Sequence, residues 1–101
     1  MDKSLKNVNP QELKKVFKGR GEMKGYKFSQ IAMNDFAFIY EKRWLDSPSV
    51  TYEVFERRIN ERFNTISYPS SKSFGIWAFD VATLDKAVIK FYELTKRVKQ
   101  R

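Results

Sequence analysis

Residues 26–44, YKFSQIAMNDFAFIYEKRW, decide the fold. In the second half Phe36, Phe38, Tyr40, Lys42 and Trp44 alternate with Ala37, Ile39, Glu41 and Arg43. A period of two is the signature of a β-strand, whose successive side chains point to opposite faces. Asn34 and Asp35 tolerate positive φ better than most residues. The stretch therefore predicts a hairpin with Asn34-Asp35 as its two-residue turn. Residues 45–49, punctuated by Pro48, predict the next turn.

Downstream, VTYEVFERRINERFN (residues 50–64) fits two periods. As a helix it carries Tyr52, Phe55, Ile59 and Phe63 on one stripe. As a strand it sets Tyr52 and Val54 against Phe55 and Ile59. Val50, Thr51, Tyr52, Val54 and Phe55 favour β structure, so a strand is expected over residues 50–58. Pro69, Ser70 and Ser71 predict a loop, Gly75 a bend, and Ile76 to Phe79 a short last strand. Trp77, inside that strand, is expected to be structural.

The flanks read as helices. Asn9, Pro10 and Glu12 match an N-x-x-E capping box with proline at the first helical position. Leu13, Val16 and Phe17 would form its inner face, and Gly19 would end it. In GRGEMKG (residues 19–25) the glycine spacing is not that of a phosphate-binding loop, so a turn is expected. At the other end Thr83 can cap a long helix, with Asp85 at its positive end and Lys96, Arg97, Lys99 and Arg101 at its negative end. Its inward stripe is expected to be Leu84, Ala87, Val88, Phe91, Thr95 and Val98. The resulting order is α-β-β-β-β-α. The fold class is α+β: a small antiparallel sheet of about four strands with the C-terminal helix packed on one face. Residues 1–101 are expected to form a single domain.

Composition narrows the chemistry. The chain of 101 residues is 42% hydrophobic and 16% aromatic, which suits a packed core. It has no cysteine and no histidine. That removes disulfides, thiolate nucleophiles, the usual neutral-pH proton shuttle and ordinary zinc ligation. No carboxylate run matches a calcium loop. Glu53, Glu56 and Glu61 interleave with Arg57, Arg58 and Arg62, a pattern expected to form a solvated, self-pairing face. No enzyme activity, cofactor or metal is expected. No apolar run approaches a membrane span, and the start MDKSLKNVNPQEL lacks an apolar leader core, so a cytoplasmic location is expected.

The net charge of +8 is divided as +5 over residues 1–27, −2 over 28–85 and +5 over 86–101. Basic ends attract polyanions and also keep an aromatic-rich domain soluble. Several strands are apolar on both faces, and one helix covers only one of them. The other face is expected to take the first helix, to pair with a second subunit, or to form an aromatic platform. Platforms flanked by Lys and Arg suit single-stranded nucleic acid. The phosphate-contacting candidates are Lys14, Lys15, Lys18, Arg20, Lys42, Arg57, Arg58, Lys96 and Arg97. Tyr68 and Lys72, in the loop, are the candidates for contact with a partner protein. No helix-turn-helix, zinc-finger or RNP signature is present, so binding without base preference is expected.

YEVFERR (residues 52–58), YPSSKSFGIWAF (68–79) and TLDKAVIKF (83–91) together resemble short, uncharacterised proteins of bacteriophages and other mobile elements. Those show a Y/F-E-V-F strand, then Y-P-x-x-x-x-F-G-x-W-A-W, then a helix. Phe79 stands here in place of the second Trp. The resemblance spans about two-fifths of the chain. It implies a phage or mobile-element origin, residence in the host cytoplasm, and a host or defence protein as the alternative partner. It implies no activity. The strand-then-helix ending is also faintly similar to AP2-type DNA-binding domains, which lack a first helix.

Overall fold

The computed structural model describes residues 9–101. Among them the order is β1 (Val16–Lys18), β2 (Tyr26–Met33), β3 (Ala37–Trp44), β4 (Val50–Glu56), β5 (Ile59–Asn60), β6 (Thr65–Ile66), β7 (Ala78–Val81) and α1 (Leu84–Lys99). Five strands form one sheet in the order β1-β2-β3-β4-β7, every neighbour antiparallel. β5 and β6 form a separate small hairpin. The α+β class, the antiparallel sheet and the long C-terminal helix against its strands are as the sequence implies.

The central hairpin forms in the expected place, but its turn works differently. The chain reverses at Asp35 and Phe36. Asn34 Oδ1 accepts the backbone N–H groups of Phe36 (2.7 Å) and Ala37 (2.9 Å). Neither Asn34 nor Asp35 has positive φ. The asparagine therefore acts through side-chain hydrogen bonds to the backbone, not through left-handed geometry. Its Nδ2 donates to Thr95 Oγ1 at 3.0 Å, which ties the turn to the helix.

The expected first helix is absent. Gln11 bridges to Thr65 instead, and residues 16–18 pair with 27–29 as a fifth strand. The reason lies in the spacing. Leu13 and Phe17 are four apart, and residues four apart share a face in a helix and in an extended chain alike. Both pack on the sheet. Val16, counted as inward for a helix, points outward and is 56% exposed. A helix of two and a half turns has little stability of its own, so an edge strand's ladder outweighs it. Glu12 pairs with Arg57 instead of closing a capping box. The 19–25 segment is the β1–β2 turn. Gly25 is needed there: its φ is +97°, and a Cβ would lie 2.8 Å from the Trp44 ring.

β4 follows the strand reading and stops at Glu56, two residues short of the expected end. The last strand begins at Ala78, two residues later than expected. In α1, Lys86 N–H donates to Thr83 Oγ1 at 3.2 Å, so Thr83 is the cap. Thr83→Ala is expected to cost about 1 kcal/mol, read from urea unfolding. The buried face is Ala87, Phe91 and Leu94. Leu84 and Val88 are exposed, so the inward stripe is rotated from the expected one toward Leu94.

The sheet carries a core on each face. Ala37, Ile39 and Val54 meet Ala87, Phe91 and Leu94 of the helix. On the other face Phe28, Phe38, Tyr40, Phe55 and Ala78 are covered by irregular segments, through Leu13, Ile66, Tyr68 and Phe74. Among the described residues no helix covers that side, and it retains a groove.

Candidate functional site

The groove encloses about 1360 Å³ between the sheet, residues 13–23 and the loop 68–74. Its wall is aromatic. Phe17 and Phe28 stack with ring centres 5.0 Å apart. Tyr68 meets Phe17, Phe28, Tyr40 and Phe55 edge-on, at 5.3, 5.6, 5.3 and 4.9 Å. Its rim is basic: Lys14, Lys18 and Arg20 line it, with Glu22 as the one rim acid. They share the rim because β1 and the turn after it run along the sheet edge.

The floor is a polar cluster built by strand register. Glu53 of β4 lies directly opposite Asp80 of β7. Like charges facing across strands repel. Lys42, one strand away, relieves this with Nζ 3.3 Å from Glu53 Oε2 and 2.9 Å from Asp80 Oδ2. The Tyr68 hydroxyl donates to Glu53 Oε1 at 2.6 Å. Burial pushes Glu53 up despite the hydrogen bonds from Tyr68 and Lys42. Burial, together with the Glu53 charge, pushes Tyr68 far up. Lys42 is pulled down by burial, but Asp80 and Glu53 outweigh this and hold it above its ordinary value. Tyr68 therefore keeps its proton and Lys42 its charge. Neither is prepared as a base or nucleophile.

The sequence-selected cations separate into groups. Lys14, Lys18 and Arg20 converge on the groove. Lys15 and Lys96 are exposed but lie outside its lining. Lys42 is in the floor, spent on two carboxylates. Arg57 is clamped by both oxygens of Glu12, at 2.6 and 2.5 Å. Arg58 and Arg97 both bind Glu56, together with Arg101. Lys72 is exposed in a single 3-10 turn, residues 71–73. Tyr68 is not a free loop side chain: its ring is packed in the core and its hydroxyl is committed to Glu53. Trp77 is half-buried, 6.4 Å from Phe55, with the Arg58 guanidinium 4.8 Å from its ring.

The acids depart most from the expected pattern. Glu53 and Glu56 are buried, on opposite faces of β4, and only Glu61 of the three is solvated. A signal existed for Glu53: in YEVF it shares a strand face with Phe55, and an acid on an apolar face requires a partner. Among the described residues no cluster of acids is arranged to hold a metal, and no helix is long and apolar enough to cross a membrane. Comparison with known proteins finds no matching family, no similar curated protein and no similar solved structure.

Proposed function

We propose that this is a non-enzymatic binding protein that holds single-stranded nucleic acid without sequence preference in the groove. The observation that carries the reading is an aromatic-walled groove edged by Lys14, Lys18 and Arg20. Bases insert beside the half-buried Phe17 and Phe74, which line the groove, while phosphates meet the rim. Asp80, whose side chain is 43% exposed, can accept from base N–H groups. A phage or mobile-element origin and a cytoplasmic location belong to the same proposal, resting on the resemblance in residues 52–91. Arg57, Arg58 and Arg97 leave the set of groove phosphate contacts: none lines the groove, and Arg57 is clamped by Glu12.

Anisotropy titration of labelled single- and double-stranded oligonucleotides at about 50 mM salt tests this. Binding is expected at about 1–100 μM, with little difference between unrelated sequences. Replacing Lys14, Lys18 and Arg20 together by Ala should weaken it at least tenfold. The log–log salt slope should become shallower by about 2, from three lost contacts at roughly 0.7 each. Arg57→Ala should leave the slope unchanged. Absence of binding at 100 μM protein would reject the reading.

A second reading has its own observation. The outer face of α1 exposes Val88, Ile89 and Tyr92, the last two at 60% and 64%. Such a stripe suits a protein partner, from the host or a second copy of this chain. Binding there would change little with salt, whereas the nucleic-acid complex would dissociate.

A further inference from the structure

On the sheet face opposite the groove, three arginines share one carboxylate. Glu56 is fully buried at the end of β4. Arg58 donates to its Oε1 through Nε (3.2 Å) and a terminal nitrogen (3.0 Å). Arg97 donates to its Oε2 through Nε (2.9 Å) and a terminal nitrogen (2.5 Å). Arg101 bridges both oxygens, at 2.8 and 3.0 Å. Four side chains thus carry three positive charges and one negative, a surplus of two.

The surplus is held in place and faces water. The Arg58, Arg97 and Arg101 side chains are 42%, 44% and 52% exposed. Arg97 is further fixed by donating to the Ile76 carbonyl at 2.9 Å. Arg58 is fixed over the Trp77 ring. A guanidinium has five N–H groups in a planar fork, so each retains donors after serving Glu56. The side-chain freedom that an anion would otherwise have to remove is already restricted by the shared carboxylate. That is preorganisation.

We propose that the Glu56–Arg58–Arg97–Arg101 cluster is an anion site that takes a dianionic phosphate group. Two negative charges match the surplus, and tetrahedral oxygens accept forked donors from several guanidiniums at once. A chain phosphodiester offers one charge per phosphate. An inorganic or terminal phosphate offers nearly two above its second ionisation, about pH 6 for a phosphomonoester. The site does not depend on the groove: Glu56 and Glu53 point to opposite faces of β4, and the groove lining contains none of the three arginines.

The test reads Trp77, the indole beside Arg58, on a Trp44→Phe background at pH 8. Inorganic phosphate is titrated against sodium chloride at matched ionic strength. Phosphate should give a saturable fluorescence change with a midpoint of about 1 mM, the weak end of specific binding. Chloride should give only a linear drift. Arg101→Ala, just past the end of the helix, should shift the midpoint at least tenfold upward. The Lys14, Lys18 and Arg20 triple-alanine variant should leave it unchanged. Comparing 5′-phosphorylated with unphosphorylated oligonucleotide in that triple variant separates a terminal phosphate from the free ion as the natural source. Equal responses to phosphate and chloride, or an unchanged midpoint in Arg101→Ala, would overturn the site. Neither outcome bears on the groove, which is read by oligonucleotide anisotropy in the protein with all three rim cations.

Discussion

Phe91→Ala is expected to lower stability by about 3–5 kcal/mol, the usual cost of emptying a buried aromatic site. Phe91 is 7% exposed and lies in the helix-side core with Ala37, Ile39, Val54, Ala87 and Leu94. Three of those are strand residues on one face of β3 and β4, so the ring is part of the joint between helix and sheet. The surrounding side chains cannot collapse into the space easily. Ala37 and Ala87 are too short to reach it, and Ile39 and Val54 are branched and fixed on a hydrogen-bonded ladder. The cavity part of the cost should therefore persist. Urea unfolding checks this through the midpoint at constant slope. Lys90→Ala on the same helix removes an exposed pair with Glu93 and a cation over the Phe79 ring at 4.5 Å. It should cost less than about 1 kcal/mol. A loss of under 1 kcal/mol for Phe91→Ala would mean that the helix is not held on the sheet by this ring.

The same contrast shows what the sequence could reveal. Phe36 to Trp44 has one period and no competitor, and all of it but Phe36 formed a strand. Thr83 with Asp85 marked the helix start because capping is a local interaction, complete within four residues. Leu13 and Phe17 were ambiguous in principle, since a spacing of four satisfies both periods. Val16 was the residue that distinguished them, and a β-branched residue beside Phe17 favours the strand. The helix face was misplaced because Leu84 and Val88 share a stripe with Phe91 at least as well as Leu94 does. The sheet chose between them, and its shape is not a local property. The basic residues were the least legible. Glu12 and Arg57 are 45 positions apart, Glu56 and Arg97 41, and Glu56 and Arg101 45. Only the assembled sheet brings these charges together. Charge counting along the chain assigned the C-terminal arginines to a diffuse basic end, whereas both are anchored to a buried acid.

That anchoring makes Glu56→Ala the second large loss, about 3 kcal/mol, the low end for breaking a buried ion pair. The low end applies because the three guanidiniums are each roughly half exposed and regain water when the carboxylate is removed. What they lose is the link between β4 and the last turn of α1, so the helix end should fray as well. The ion-pair origin has a pH signature. Burial alone would push Glu56 up, but hydrogen bonds from Arg101, Arg97 and Arg58 together outweigh it and hold the carboxyl below its ordinary value of 4.5. A carboxyl with a depressed folded pKa contributes stability that is fully present above the unfolded value. That contribution is lost as the pH falls through the folded value. The stability gap between the natural chain and Glu56→Gln should therefore be widest near pH 7 and close on acidification below about 4.5. Glu53 has the opposite sign, since burial raises its folded value, but it is present in both proteins and cancels from the difference. Urea unfolding of the two proteins at pH 7, 5 and 3 gives the gap directly. A gap that stays constant over that range would assign Glu56 a packing role and remove the charge balance on which its arginines are held.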